Sequence, residues 1–248
     1  MGGTAKLRHL VRALRLERAR VPSFEDYPFS VPAVRGMDQL DLAEGVTFLV
    51  GDNGAGKSTL IEAIAVAAGF NAEGGTRNFN FTTRSSESNL HQFIRLVRGA
   101  RRPRGGFFLR AESFFNVATE VERLGLSGYG DKSLHEQSHG ESFLALALER
   151  FVDEGLYILD EPEAALSPQR QLSLLAIMRR QVAKGSQFIV ATHSPILMAY
   201  PGALIYELDA AGMAPVAYED TQHFQITRDF LNNRERYFRH LLADEVPE

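Results

Sequence analysis

No cysteine occurs in the chain. That excludes disulfides and thiolate metal sites, and it agrees with a reducing, cytoplasmic setting. No apolar run reaches the roughly 18 residues needed for a transmembrane helix, so direct insertion into a membrane is not expected. The start, Met1 to Leu10, has no long apolar core, so it does not read as a secretion signal. Lysine is scarce, with four residues (Lys6, Lys57, Lys132 and Lys184) against 23 arginines. Strong charge of one sign is missing as well. At a formal net charge of −4 the surface as a whole is no polyanion binder, and any nucleic-acid contact would have to be local.

What is present is an ordinary globular composition. The chain has 248 residues, 44% hydrophobic and 23% charged, enough for a large core in one or two domains.

Residues 51–58 read Gly51-Asp52-Asn53-Gly54-Ala55-Gly56-Lys57-Ser58. They fit the phosphate-loop template G-x-x-x-x-G-K-[ST] at every required position, a match expected roughly three times in a thousand shuffled chains. One of the four lysines thus stands where a compact ammonium suits phosphate better than a forked guanidinium. The context agrees. Val46 to Val50 is a β-rich apolar run, and residues 57–68 are helix-compatible with Leu60, Ile61, Ile64 and Ala68 on one face. A glycine loop between strand and helix brings amide N–H groups and the helix's positive end onto anionic oxygens. The bland alternative is an ordinary glycine-rich turn.

Along the chain, residues 5–20 alternate basic and apolar side chains and read as a strand, or a strand pair with 46–50, at an edge. Residues 21–37 hold three prolines and read as an irregular connection. Residues 71–89 look like a loop, 90–98 like helix or strand, and Phe107 to Leu109 like a strand. Helices are expected at 113–124, 141–152, 168–184 and 222–243, and strands at 156–159, 187–192 and 203–208. Strands alternating with helices imply an α/β fold with a mainly parallel sheet covered on both faces.

Leu156-Tyr157-Ile158-Leu159-Asp160-Glu161 is an apolar strand ending in two carboxylates. Mg2+ prefers oxygen ligands and keeps waters, so Asp160 with the Ser58 hydroxyl and substrate phosphates would hold it. Glu161 can then orient or deprotonate an attacking water. Taken alone, such a pair is equally a solvated strand end. A third strand, Gln187 to Thr192, runs into His193, at the end of a parallel strand where α/β ligands bind. There His193 can donate a hydrogen bond to a terminal phosphate, although a lone histidine is usually structural.

Three elements together resemble the ABC-type P-loop ATPase superfamily. Ser138-His139-Gly140-Glu141-Ser142, 22 residues before Asp160, looks like its signature loop. Asp160 to Ser167 is similar to the Walker B segment running into the D-loop, and His193 matches the switch histidine. The Arg-rich start and the tail from Gln222 look like a smaller group of stand-alone bacterial ATPases, similar to an SMC-type head without a coiled-coil arm. The resemblance implies one domain over 1–248. Its core would be about 1–70 and 150–220, with an antiparallel β portion at the start, a helical insertion bearing the signature loop at about 71–149, and a C-terminal helix at about 222–243.

It also implies a homodimer with two ATP molecules at the interface. In each site Asn53, Gly54, Ala55, Gly56, Lys57, Ser58 and Thr59 would bind nucleotide. Ser138 and Gly140 of the other copy would cap the γ-phosphate. Taken alone, Ser138 and Glu141 also fit a plain capping box. There are departures. His139 replaces a glycine and Ser167 stands where the D-loop usually has Asp. No Gln matches the Q-loop, for which Glu112 is the candidate (and a metal ligand if so) and Gln92 a poorer one. Tyr27 and Phe29 lie upstream where an adenine-stacking aromatic would, or else they plug the core.

Arg95, Arg98, Arg101, Arg102, Arg104 and Arg110 read as a nucleic-acid backbone patch or as a solvated Arg-rich turn. Arg77 or one of these is a further candidate to reach phosphates. The expected function is Mg2+-dependent ATP hydrolysis driving a conformational task, with DNA or a partner protein as its object, in repair or defence. The alternatives are the soluble motor of a membrane transporter and a nucleotide-gated binding module with little turnover. A small-molecule kinase fits least, because no acceptor site is visible.

Overall fold

The structure is a computed structural model and describes residues 9–72, 74, 88–110 and 151–242. The helices expected at 113–124 and 141–152, the signature loop with Ser138 and Gly140, and the residues Arg77 and Glu112 lie outside that range.

In chain order the elements are β1 (Val11–Leu16), α1 (Pro32–Arg35), β2 (Gln39–Asp41), β3 (Val46–Gly51), α2 (Lys57–Ala67), β4 (Ile94–Arg98), β5 (Gly105–Arg110), β6 (Gly155–Asp160), α3 (Pro168–Ala183), β7 (Gln187–Ala191), α4 (Pro195–Met198), β8 (Leu204–Asp209), β9 (Gly212–Val216) and α5 (Gln222–Leu241).

Two sheets form. The larger runs β5-β6-β7-β3-β8-β9. Its first five strands are parallel and β9 returns antiparallel to β8. Strands β3, β6 and β7 are buried along their whole length, as apolar strands covered on both faces must be. The smaller sheet, β2-β1-β4, is antiparallel.

Period-two alternation splits the core into two layers. On one side Leu49, Leu156, Ile158 and Ile189 meet Leu60, Ile61 and Ile64 of α2, which in turn meet Leu14 and Leu16 of β1. On the other side Phe48, Val50, Tyr157, Leu159 and Phe188 meet Leu174, Ile177 and Met178 of α3. Helix α2 is therefore packed between the two sheets.

The expected pairing of the Arg-rich strand with 46–50 is corrected. β3 is enclosed by β7 and β8 and has no free edge. β1 is instead the middle strand of the small sheet, where Arg12 and Arg15 face solvent and Val11, Ala13, Leu14 and Leu16 face the core. Polar side chains join the sheets: buried Gln187 accepts from Val11 N at 2.9 Å and donates to Val11 O and Ala43 O at 2.7 Å each, and the Tyr206 hydroxyl of β8 donates to Asp41 O of β2 at 3.1 Å. Residues 90–98 resolve as a short 3-10 turn and then strand β4. β4 and β5 both fall inside the stretch expected as an insertion, yet each completes a sheet. The short strands β2 and β9 carried too few residues for a periodic signal.

Candidate functional site: a phosphate loop facing two strand ends

The carboxyl ends of β3, β7 and β6, side by side in the sheet, bring Gly51, His193 and Asp160 to one rim. The loop after β3 needs its glycines. Gly51, Gly54 and Gly56 have φ of 138°, 81° and 99°, which side chains rarely tolerate. A Cβ on Gly51 would lie 2.1 Å from Leu208 O, and one on Gly56 would lie 2.4 Å from Val31 Cγ1.

Lys57 opens α2 and folds back over the loop. Its Nζ donates to Gly51 O at 2.8 Å and Asp52 O at 2.9 Å. Burial holds its pKa below the ordinary lysine value, while Glu161, Asp160 and Asp52 oppose that shift. Asn53, Gly54 and Ala55 form the bend, where Ala55 N donates to Asp52 O at 3.2 Å. Ser58 Oγ donates to Asp160 Oδ1 at 3.4 Å. Thr59 lies 3.3 Å from the hydroxyl of Tyr27.

Asp160 ends β6 and is buried. Its register partner on β5 is Arg110, whose Nε lies 3.5 Å from Asp160 Oδ2 and whose Nη1 donates to Glu62 Oε2 of α2 at 3.1 Å. The next residue, Glu161, is in the left-handed region at φ 50°, ψ 51°, and its N–H donates to Ala191 O at 3.0 Å. This backbone turns the Glu161 side chain toward β7, where Oε1 lies 3.3 Å from His193 Nε2, within ion-pair reach but not aligned as a hydrogen bond.

His193 is held on two further sides. Its N–H donates to Glu163 Oε1 at 2.5 Å, and its Nδ1 lies 3.0 Å from His223 Nε2. Burial first, and then the Lys57 charge, lower the His193 pKa, with Glu161 acting against them. Both effects favour the neutral ring, which donates from one nitrogen and accepts at the other. Burial raises the Glu163 pKa, and the bond from His193 N works against the rise.

Sequence reasoning missed four of these residues. Glu163 stood inside the quoted carboxylate run without a role. Arg110 was counted in the basic stretch, and only strand register reveals it as the partner of Asp160. Glu62 and His223 had no local signal.

Other expectations separate cleanly. Phe29 is buried and packs edge-on against Phe93 at 4.9 Å, so it is a core plug, whereas Tyr27 is exposed beside the loop. Gln92 is exposed in the turn before β4 of the small sheet. Four of the six clustered arginines pair with carboxylates of this chain. Arg95 pairs with Glu17 at 3.1 Å, Arg101 and Arg104 both pair with Glu154, and Arg110 with Glu62 and Asp160.

Ser58 and Asp160 offer two oxygens side by side next to the loop, a donor set that fits Mg2+. No group of three or more His, Asp or Glu able to hold a metal occurs among the described residues. A Mg2+ ion completed by phosphate oxygens and water does not need one.

Residues 46–116 and 127–199, more than half of the chain, match the family described as "AAA domain, putative AbiEii toxin, Type IV TA system". The chain belongs to that family. It is an ABC-type P-loop ATPase, and the matched stretches contain the phosphate loop, Asp160, Glu161 and His193. It is 30% identical over 186 residues to the hemin import ATP-binding protein HmuV of Streptomyces coelicolor, covering 68% of this chain and 66% of that one. It is 28% identical over 159 residues to the cytochrome c biogenesis ATP-binding export protein CcmA of Yersinia pestis, covering 59% of this chain and 72% of that one. The chain thus spans about two thirds of the length of these relatives. Among solved structures, the SMC head domain from Thermotoga maritima superposes with a TM-score of 0.49 at 17% identity, over 84% of this chain and 99% of that one. No helix among the described residues is long and apolar enough to cross a membrane.

Proposed function

We propose that this ABC-type ATPase hydrolyses ATP with Mg2+ at sites closed by two copies of the chain. The observation that carries the reading is the convergence of Lys57, Ser58, Asp160, Glu161 and His193 on one rim. Lys57, released from Gly51 O and Asp52 O, and the amides of Asn53 to Thr59 hold the β- and γ-phosphates. Ser58 and Asp160 hold the ion, which when bound supplies charge neutralisation across the phosphate oxygens. Glu161 takes the proton of the attacking water. His193 donates from Nε2 to the γ-phosphate. Ser138 and Gly140 of the second copy would cap that phosphate, and Glu112 would be a further ligand for the ion. Tyr27 is the adenine-stacking residue of this reading, because Phe29 is committed to the core.

The test is Glu161→Gln with ATP in light scattering. A stable nucleotide-bound dimer is expected, and a protein that stays monomeric at saturating ATP rules out the two-copy site. The task driven is best read as that of a motor acting on a partner protein. A membrane transporter is the partner class favoured by the relatives' names as import and export proteins. A DNA-directed role has less support, since four of the six clustered arginines already face carboxylates of this chain. ATP turnover stimulated by a membrane protein encoded beside the chain, and indifferent to DNA at low salt, is the outcome expected.

A further inference from the structure

The Nδ1 of His193 and the Nε2 of His223 lie 3.0 Å apart, too close for anything but a shared proton. With one proton on each ring, the pair can share it in two ways. In the first, His223 Nε2–H donates and His193 Nδ1 accepts. The proton of His193 is then on Nε2, facing the Glu161 carboxylate at 3.3 Å. In the second, His193 Nδ1–H donates. His193 Nε2 then turns a lone pair toward a carboxylate oxygen, and the proton of His223 moves to Nδ1. That atom is buried, with no hydrogen-bond partner among the described residues. The second arrangement therefore carries one electrostatic repulsion and one orphaned buried N–H, both unfavourable. The first leaves only an unpaired lone pair on His223 Nδ1.

We propose that His223 is a positioning residue that fixes His193 in the Nε2–H tautomer, so that the donor points at the γ-phosphate rather than into the tail helix. The role of that donor rests on the reading of His193 given above; the tautomer itself does not.

His223 sits in the first turn of α5, just after Thr221, whose hydroxyl caps the helix by accepting from Phe224 N. Thr221 is itself fully buried, and Gln222 N donates to Glu207 Oε1 of β8 at 2.9 Å. The start of α5 is thus anchored to the sheet that also carries His193, while the rest of the helix buries no residue. The ring of His223 is delivered by that anchor. His193 is held from the opposite side by Glu163 at its backbone N–H. Hydrogen-bond partners that fix a metal-ligating histidine's tautomer typically change activity by roughly 10–100-fold when lost, and an effect at the lower end of that range is expected here.

The experiment reads the nitrogen that bears the His193 proton, by 15N NMR of histidine-labelled full-length protein, together with kcat and KM for ATP. Wild-type protein is expected to carry the proton on Nε2. His223→Gln, whose amide Nε2 can donate from about the same place, is expected to keep that tautomer and most of the turnover. His223→Glu, which can only accept, is expected to move the proton to Nδ1. His223→Ala is expected to give mixed tautomers, with kcat down by on the order of tenfold and KM within about twofold. A wild-type proton on Nδ1, or a tautomer unchanged between wild type and His223→Ala, overturns the proposal. Full turnover in His193→Ala would instead remove the phosphate-contact reading, and the NMR result would still decide the tautomer.

Discussion

Ser58 Oγ donates to Asp160 Oδ1 at 3.4 Å across 102 residues of sequence. The contact joins the first turn of α2 to the end of β6, two elements far apart in sequence that pack in one apolar layer. Asp160→Asn keeps the shape and removes the charge that a Mg2+ ion needs. It is expected to lower kcat by at least about 100-fold and to raise the Mg2+ concentration for half-maximal turnover. Ser58→Ala, which removes a neutral ligand, is expected to have the smaller effect. Titration of ATPase rate against Mg2+ distinguishes them.

Glu161 holds a left-handed backbone at φ 50°. For a residue with a Cβ this costs about 1 kcal/mol. Glu161→Gly is expected to gain up to about 0.5–1 kcal/mol in urea unfolding, part of the relief being offset by the freer unfolded chain, while turnover falls to background. Loss of stability together with activity would show that the strain is absent.

Glu163 gives a pH dependence with a definite sign. Its pKa is raised in the folded protein, chiefly by burial. Between the unfolded value near 4.5 and the raised folded value, the native state binds more protons than the unfolded chain. Stability attributable to this group therefore falls as pH rises through that window. Glu163→Gln, still able to accept from His193 N, lacks this titration. Urea midpoints measured across the window are expected to show the variant gaining on wild type as pH increases, and the opposite trend would contradict the burial-driven shift.

Gln187 ties β7 to β1 through two buried hydrogen bonds with Val11 and makes a third, part-buried one to Ala43 O. Gln187→Leu leaves Val11 N and O and Ala43 O without these partners. With orphaned buried groups costing about 1–3 kcal/mol each, and some reached by water after relaxation, the expected loss is about 2–4 kcal/mol, read from chemical denaturation. A loss under about 1 kcal/mol would mean that the Gln187 side chain contributes little to joining the sheets.

The phosphate loop was legible because its chemistry is contiguous: three left-handed glycines, one lysine and one hydroxyl follow each other along the chain. The same holds for Asp160 and Glu161, which end an apolar strand, and for His193, which ends another. Helix α3 and the long tail helix were legible from their periodicity. Tyr27 and Phe29 could not be separated, because whether an aromatic is exposed depends on what packs over it. The ion pairs of the arginine cluster were not legible for a related reason, since Glu17, Glu62 and Glu154 reach it from distant parts of the chain.

The sequence by itself determined the P-loop ATPase class, the strand-and-helix alternation and the identity of the residues at the strand ends, because each depends on neighbours a few positions away. Only the tertiary structure decided that β1 belongs to a second sheet, that Arg110 stands opposite Asp160 and that His223 meets His193. Those contacts depend on strand order, register and the seating of a terminal helix, which follow from burying two apolar layers at once and leave no local pattern to read.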